Sequence, residues 1–455
     1  MYLGVHVSYS VYYMYRLVLC LRCSVQLSST GSLRKLSMSR SKSGISKLIT
    51  VLAWLSLLCA FAIGHLAAKT NYVQLLSQHF PNSTFTSAPA KGNGPLAFLR
   101  HHKDLPEADL ILIAEGQGFG GPLILAVAVS ETEKQGYINK VTLLSDRESP
   151  PFIARLAKQN FYREFNGKEV TADFIIGDDI DGVTGATVSS RGIAKAVQNA
   201  MHLSAVQRLD LDPGWQAEQW HFELNDGLLL LLILVVIYSC YAKNAFNTKL
   251  KLLIPLVSLG FIGFYINASL SIGSLGGLLM GYIPDPKQSP IWWIMMSSVL
   301  GAVFLLGKNI YCGKLCPFSA VQMLLHKITG MKLPVNKTWA KHSRGLIMTL
   351  IWFSMMLIFL SHHPAMGSYE PFSMMFSLQG TGVQWYLLPL SLFGALFIPD
   401  FWCRLFCPVG FSLNTLVRSR RQALNKLSTV KLSKSQAIEV QSAEQYQHNI
   451  RRKHG

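Results

Sequence analysis

Apolar stretches recur at Leu48–Leu66, Gly227–Tyr241, Leu252–Ile272, Ile291–Leu306, Gly345–Leu360 and Trp385–Ile398, and alternate connections between them are loaded with Lys and Arg. Stretches near the ~17–25 residues of a bilayer-crossing helix restrict the fold severely. In hydrocarbon the backbone N–H and C=O groups have no water to pair with, so isolated apolar runs must be helices. The connection 243–251 holds three Lys, 308–344 holds seven Lys or Arg, and the tail after Asp400 holds ten. By contrast 273–290 holds only Lys287, and 362–384 holds none. Basic connections stay on the cytoplasmic side. The pattern therefore predicts about six spans, with residues 67–225 on the outer side.

The formal net charge of +18 would suit a nucleic-acid binder, but its distribution argues against one. Between Ala67 and Asn225 there are 18 acidic and 14 basic residues, and most other Lys and Arg flank apolar runs. This is membrane topology, and no nucleic acid is expected as a partner. A chain 50% hydrophobic and 15% charged fits a soluble domain joined to membrane helices. Arg40, Lys42 and Lys47 precede the first run, as in a signal anchor or signal peptide. Met38 directly precedes that arrangement, so 1–37 is read as a spurious extension; the rival is an extra span at Val5–Cys23, broken by Arg16. The expected layout is an anchor at 38–66, an outer domain at 67–225, five membrane helices at 227–418 and a basic cytoplasmic tail at 419–455.

The outer segment reads as α+β. Strand patterns occupy Leu110–Ala114, Leu123–Val129 and Tyr137–Leu144. Between the first two lies Glu115-Gly-Gln-Gly-Phe-Gly-Gly-Pro122, which runs on into a strand rather than a helix and so is not a dinucleotide fingerprint. It reads as a hairpin whose backbone, at Gly120 and Gly121 among others, approaches a flat cofactor. Ser149 opens a helix that carries on to about Phe161, 177–181 is an acidic turn, and Ser189–Ala205 is a helix capped by Ser189 or Ser190. Ahead of that helix stands Asp181-Gly-Val-Thr184-Gly185-Ala186-Thr187. Gly185 and Ala186 leave the Thr187 hydroxyl approachable, and Asp181 is placed to orient the loop or activate that hydroxyl. The other reading is an ordinary small-residue turn capping a helix.

Four of the eight cysteines form a repeat: Tyr311-Cys312-Gly-Lys-Leu-Cys316-Pro317 and Trp402-Cys403-Arg-Leu-Phe-Cys407-Pro408. Both copies follow an outward-to-inward span. Spacing of i, i+4 puts two thiols on one face of a helical turn, and the following Pro is expected to end it. Thiols in a reducing compartment are unsuited to disulfides; an Fe–S cluster, a zinc ion or a redox thiol set remain open. Cys240 reads as a packing residue. His362-His363, His326 and His342 read as polar residues, since no haem attachment motif is present. The pairs Trp292-Trp293 and Trp385-Tyr386 read as an interfacial aromatic belt. No hydrolase constellation is recognisable.

The run ending at Thr187 resembles a flavinylation motif, in which the last hydroxyl residue carries FMN through a phosphoester bond. Together with the Gly-Phe-Gly-Gly-Pro122 hairpin, Gly136-Tyr-Ile-Asn-Lys-Val141 and Asp146-Arg-Glu148-Ser-Pro150, it is similar to the FMN-binding domain of NosR/NirI-type proteins and of the Rnf and Nqr flavin subunits. The paired cysteine motifs extend the resemblance to the NosR/NirI family across 48–418. Around Glu148 the chain departs from the common form, with Asp146 where a His is usual and Ser149 where a Thr is usual. The tail has no ferredoxin-type cysteines, so a short form lacking the C-terminal ferredoxin domain is expected.

The resemblance implies FMN on Thr187, attached by a flavin transferase, with Asp181, Thr184, Gly185, Ala186, Glu148, Gly120 and Gly121 around it. It implies an Fe–S cluster at Cys312, Cys316, Cys403 and Cys407. It further implies a bacterial inner-membrane protein whose FMN domain is periplasmic. Electrons would pass from quinol or a cytoplasmic donor to a periplasmic reductase or cytochrome, or to its maturation machinery, with nitrous oxide reductase the expected client. The alternative function is a membrane redox sensor regulating an anaerobic respiratory system. Since the hydrocarbon core is ~30 Å thick, a quinone, haem or second flavin is needed between flavin and thiols.

Overall fold

The computed structural model describes residues 35–68, 70–88, 94–102, 108–132, 135–214, 220, 222–241, 246–287, 289–331, 333, 337–378, 380 and 382–425. The expectations for most of the extension before Met38, for the alternative span at 5–23 and for the tail beyond 425 lie outside them. The chain divides into two compact units, 1–56 and 57–455. In the first, helical backbone is described from Lys35, three residues before Met38. Its Leu48, Val51, Leu52, Trp54 and Leu55 side chains are all exposed, as suits a surface solvated by hydrocarbon.

In the second unit, residues 83–146 form a five-stranded antiparallel meander in the order β1 (Ser83–Ser87), β2 (Ala97–His102), β3 (Ala108–Gln117), β4 (Pro122–Thr132), β5 (Gln135–Asp146). The three strands expected from alternation are present. β1 and β2 are additional, and β1 carries little apolar signal because its Ser-Thr-Phe-Thr-Ser is an edge held by pairing to β2. Alternation along β3 sends Leu110, Leu112 and Ala114 to one core and Ile111 and Ile113 to another. The first core is closed by the helix Thr187–Ser204 through Ile193, Ala196, Val197, Ala200 and Met201. Each large apolar side chain buried there contributes about 1.5–3 kcal/mol.

That helix lies close on the sheet because two glycines meet. A Cβ on Gly116 of β3 would stand 2.5 Å from the Gly192 carbonyl oxygen and 2.8 Å from the Ala196 Cβ. The helix begins at Thr187, two residues earlier than expected, with Ala186 at the N-cap and no side-chain cap. Ser189 and Ser190 are buried inside its first turn. The expected capping by either serine is therefore corrected: their hydroxyls are used in tertiary and loop contacts.

Among the described residues three helices are long and apolar enough to cross a membrane: Leu48–Ala67, Leu224–Tyr241 and His342–Ser361. Three shorter apolar helices, Leu252–Tyr265, Pro290–Leu306 and Gln384–Phe397, occupy the other expected positions. The expected run Leu252–Ile272 is not one helix. It contains Pro255, widens into a π-turn over Leu259–Tyr265, and breaks at Asn267, whose φ is +54°. Ser271 then starts a separate helix, Ile272–Leu279, through a reciprocal capping box with Ser274. Apolar composition continues through the break, so hydropathy alone does not register it.

Candidate functional site

The glycine-rich hairpin between β3 and β4 closes on a buried carboxylate. Gly118 N–H donates to Gly121 O at 2.9 Å, completing the turn. Glu148 is fully buried; its Oε1 accepts from the N–H groups of Gly120 and Ser149, both at 2.7 Å, and its Oε2 accepts from Ser189 Oγ at 2.8 Å. A Cβ on Gly120 would stand 2.6 Å from Glu148 Oε1, and one on Gly121 would stand 2.5 Å from the Arg147 carbonyl oxygen. At these two positions the close approach is to Glu148 and its own segment, where the expectation is of a backbone bared for a flat cofactor. Burial pushes the Glu148 carboxyl up to about 7, against hydrogen bonds from Ser149, Ser189, Gly120 and Phe119 that favour the anion. A group poised there can hold or release a proton near neutrality.

Thr187 is half-buried at the first helical position, and its Oγ1 donates to Val183 O at 3.5 Å. The turn before it is held by Ala186 N–H to Val183 O at 2.9 Å and by Ser190 Oγ, which donates to Ala186 O and accepts from Val183 N–H. Gly185 has φ +77°, a conformation that favours glycine, and its carbonyl accepts from Arg155 Nη1 at 3.1 Å. Asp181 and Thr184 are exposed. No hydrogen bond of the Asp181 side chain occurs among the described residues; the side chains that bond to this turn include Ser190 and Arg155. Those two residues, with Ser189, are what sequence reasoning missed; Ser189 and Ser190 were noticed, but as caps.

These residues fit a phosphoester-linked FMN. The helix N-terminus has no side-chain cap, leaving its first N–H groups for a phosphate on Thr187. Arg155 adds a cation on the same turn.

The cysteine motifs adopt related but irregular turns. Tyr311–Leu315 is a π-turn that ends at extended Cys316, and Pro317 opens the helix Pro317–Thr329. Phe401–Leu405 is one helical turn, and Pro408 likewise starts the helix 408–425. Each turn thus ends ahead of its Cys-Pro as expected, and the Pro, lacking an N–H, then occupies the first position of the next helix. In both copies the second Cys N–H reaches back five residues, Cys316 to Tyr311 O at 2.8 Å and Cys407 to Trp402 O at 2.9 Å.

The two copies converge. A Cβ on Gly410 would lie 3.5 Å from Cys407 Sγ and 3.6 Å from Cys312 Sγ, so the first Cys of one motif faces the second Cys of the other. Gln322, fully buried, donates from Nε2 to Cys403 Sγ at 3.3 Å and accepts from Trp402 N–H at 2.8 Å, tying the helix after the first motif to the second. All four cysteines are free thiols, and the two motifs lie within electrostatic reach of each other. Among the described residues no three His, Cys, Asp or Glu side chains are grouped as ligands of a single metal ion. Four free thiols on two facing loops, with no side chain at Gly410 between them, are a donor set of the kind an Fe–S cluster takes.

Elsewhere, Lys314 of the first motif donates to Cys240 Sγ at 3.4 Å, giving that cysteine a specific neighbour. His362 is held by Arg147 and Tyr282, and its ring lies 5.7 Å from that of His65.

Residues 118–202 match the FMN-binding domain family, a range that takes in the hairpin, Glu148 and Thr187. Residues 288–336 and 386–426 match the 4Fe-4S binding domain family, and each part contains one cysteine motif. The chain is similar to Regulatory protein NosR of Pseudomonas aeruginosa, 26% identical over 211 residues, covering 42% of this chain and 29% of that protein. It is similar to Protein NirI of Paracoccus denitrificans, 28% identical over 230 residues, covering 46% of this chain and 34% of that protein. Over 119 residues it is 29% identical to a component of the proton-translocating ferredoxin:NAD(+) oxidoreductase complex of Clostridium ljungdahlii, covering 25% of this chain and 56% of that component. The chain spans about a third of the length of the NosR and NirI relatives.

Proposed function

As a NosR/NirI-type protein that joins an FMN-binding domain to a 4Fe-4S binding domain, this chain is, we propose, a membrane electron-transfer flavoprotein of the bacterial inner membrane. FMN is carried on Thr187 through a phosphoester bond made by a flavin transferase. Electrons come from the quinol pool or a cytoplasmic donor and leave to a periplasmic reductase or its maturation machinery. Nitrous oxide reductase is the client that the family resemblance favours. The charge asymmetry of the connections supports a multi-pass arrangement with the sheet domain periplasmic and the cysteine motifs cytoplasmic.

The observation that carries this reading is the placement of Thr187. Its hydroxyl stands at an uncapped helix N-terminus, beside Gly185 and Arg155, inside the segment that matches the FMN-binding family. Bound FMN supplies reversible electron transfer in steps of one or two. The chain's own contribution is to hold the phosphate at that N-terminus and to offer Glu148, which accepts from Ser189 of the same helix turn, as a proton-holding group. Cys312, Cys316, Cys403 and Cys407 would hold the cluster.

The test is a denaturing gel. A fluorescent flavin band should accompany the wild-type chain and vanish in Thr187→Val. Retention of the band in that variant would move the attachment elsewhere. In liposomes, a reduced menaquinol analogue should bleach the flavin. Failure of every quinol and every cytoplasmic donor to do so would sink the electron-transfer reading.

A second reading is a membrane redox regulator, in which the flavin's redox state alters a contact with another protein. The name Regulatory protein NosR, borne by relatives from Pseudomonas aeruginosa and Stutzerimonas stutzeri, favours it. Flavin that is reduced slowly and once, with no catalytic turnover onto an acceptor, would select this reading.

A further inference from the structure

A cavity of about 60 Å³ lies between the sheet domain and the helical region. That is several times the ~10–15 Å³ one water molecule needs. The sheet domain contributes Phe119, from the glycine hairpin, and Phe152, whose rings meet edge to face at 5.4 Å. The helical region contributes Phe372 and a set of polar side chains that includes Asn267, Ser269 and Glu370.

These polar groups are unusual for a buried site. Glu370 is 2% exposed and Asn267 is 4% exposed. Glu370 Oε1 accepts from Ile272 N–H and Ser368 lies near the same carboxylate, while among the described residues Glu370 Oε2, Asn267 Nδ2 and Ser269 Oγ have no hydrogen-bond partner. A buried polar atom left unpaired costs about 1–3 kcal/mol, so three in one cavity mark a place built for a ligand. Asn267 is held there by the helix break, where its φ is +54°.

We infer that this cavity binds the head group of a membrane quinol, a conclusion that rests on the electron-transfer reading. A flat hydroxylated ring satisfies all three atoms. One ring hydroxyl donates to Glu370 Oε2, and the ring oxygens accept from Asn267 Nδ2 and Ser269 Oγ. Aromatic walls at Phe119, Phe152 and Phe372 suit the ring faces. The ligand comes from the lipid phase. Gly380 and Gln384 line the cavity, and near them in the chain Leu378, Val383, Trp385 and Tyr386 stand 54–80% exposed, an apolar rim. Phe119 also lines a narrow apolar slot with Ile291, Trp292 and Met296, suited to the start of an isoprenoid tail. Because the hairpin that bears Phe119 also donates to Glu148, the ligand would sit against the flavin domain itself.

The experiment uses the purified full chain in lipid nanodiscs, titrated with 2-heptyl-4-hydroxyquinoline N-oxide, a quinol analogue whose fluorescence is quenched on binding. One saturable site is expected. Glu370→Gln and Ser269→Ala should each weaken it at least tenfold, and Ser373→Trp, which fills the cavity from another wall, should abolish it. The Glu370→Gln change keeps the side-chain shape, so it remains decisive if the larger substitution fails to fold. Equal affinity in wild type and variants, or no saturable binding to wild type, would overturn the assignment. Flavin reduction separates the two claims. Quinol that reduces the flavin equally well in wild type and Glu370→Gln removes the cavity and leaves the electron-transfer reading standing. Analogue binding that depends on Glu370, with no donor able to reduce the flavin, keeps the site and removes that reading.

Discussion

Ser189 Oγ donates to Glu148 Oε2 at 2.8 Å across 41 positions of sequence, joining the helix that begins at Thr187 to the hairpin carrying Gly118–Gly121. Both side chains are fully buried. The contact ties Glu148 to the helix start at Ser189, two residues from the candidate attachment point Thr187.

The first prediction concerns pH. Burial pushes Glu148 up to about 7 in the folded protein, whereas an unfolded chain's glutamate titrates near ~4.3. Between those values the folded protein holds a proton that the unfolded chain has released. Stability from this group is therefore complete below about pH 4.3 and is lost as pH rises through about 7. The shift corresponds to a change on the order of 3 kcal/mol. Melting temperatures of the full chain from pH 5 to 8 should fall in wild type and fall distinctly less in Glu148→Gln. Parallel curves would assign the slope to another group.

Removing the Ser189 hydroxyl takes away one of the hydrogen bonds that favour the Glu148 anion. Ser189→Ala should raise the Glu148 pKa further and extend the falling limb of the stability curve to higher pH. The loss of stability at pH 8 should be about 1.5–3 kcal/mol, the usual value for a hydrogen bond to a charged group. An unchanged midpoint in the pH titration of the melting temperature would refute it.

Gly116 and Gly192 test the packing of the helix on the sheet. The atom that a Cβ at Gly116 would meet is backbone, the Gly192 carbonyl, which cannot swing aside. Gly116→Ala should destabilise the sheet domain by about 1–3 kcal/mol through overpacking. It should also lower covalent flavin loading, because the helix start moves with the helix. Chemical denaturation and flavin-to-protein absorbance ratios would check the two effects.

Gly410 is expected to behave differently. A single added methyl group makes only ordinary contact with Cys407 Sγ and Cys312 Sγ, so Gly410→Ala should fold normally. Gly410→Leu fills the space between the motifs and should reduce bound iron to the level of Cys312→Ser. Iron analysis of anaerobically purified protein gives the answer, and full iron in Gly410→Leu would place the cluster elsewhere.

Gln322 provides a separate handle on the same site. Gln322→Leu deletes the donor to Cys403 Sγ and strands the Trp402 N–H. Iron retention should fall severalfold, with a shift in any cluster signal seen by electron paramagnetic resonance. An identical spectrum and iron content would make Gln322 a packing residue only.

Local pattern alone determined the apolar runs, the strands at 110–114, 123–129 and 137–144, the glycine hairpin, and the two cysteine repeats. Each is a short-range periodicity or spacing, set by the pleat of a strand, the pitch of a helix or the length of a span. Tertiary structure decided what those patterns do together. Pairing made a strand of the polar Ser83–Ser87. Packing on Gly116 and contact with Glu148 drew Ser189 and Ser190 into the helix and left Ala186 at its cap. The break at Asn267 turned a continuous apolar run into two helices and aimed a polar side chain into a cavity. Cys312 was brought beside Cys407, rather than left with Cys316 alone, by contacts between motifs some ninety residues apart, about the Gly410 position and through Gln322. The physical reason is the same in each case. Desolvation and hydrogen bonding depend on which distant groups arrive, and no local window of residues contains that information.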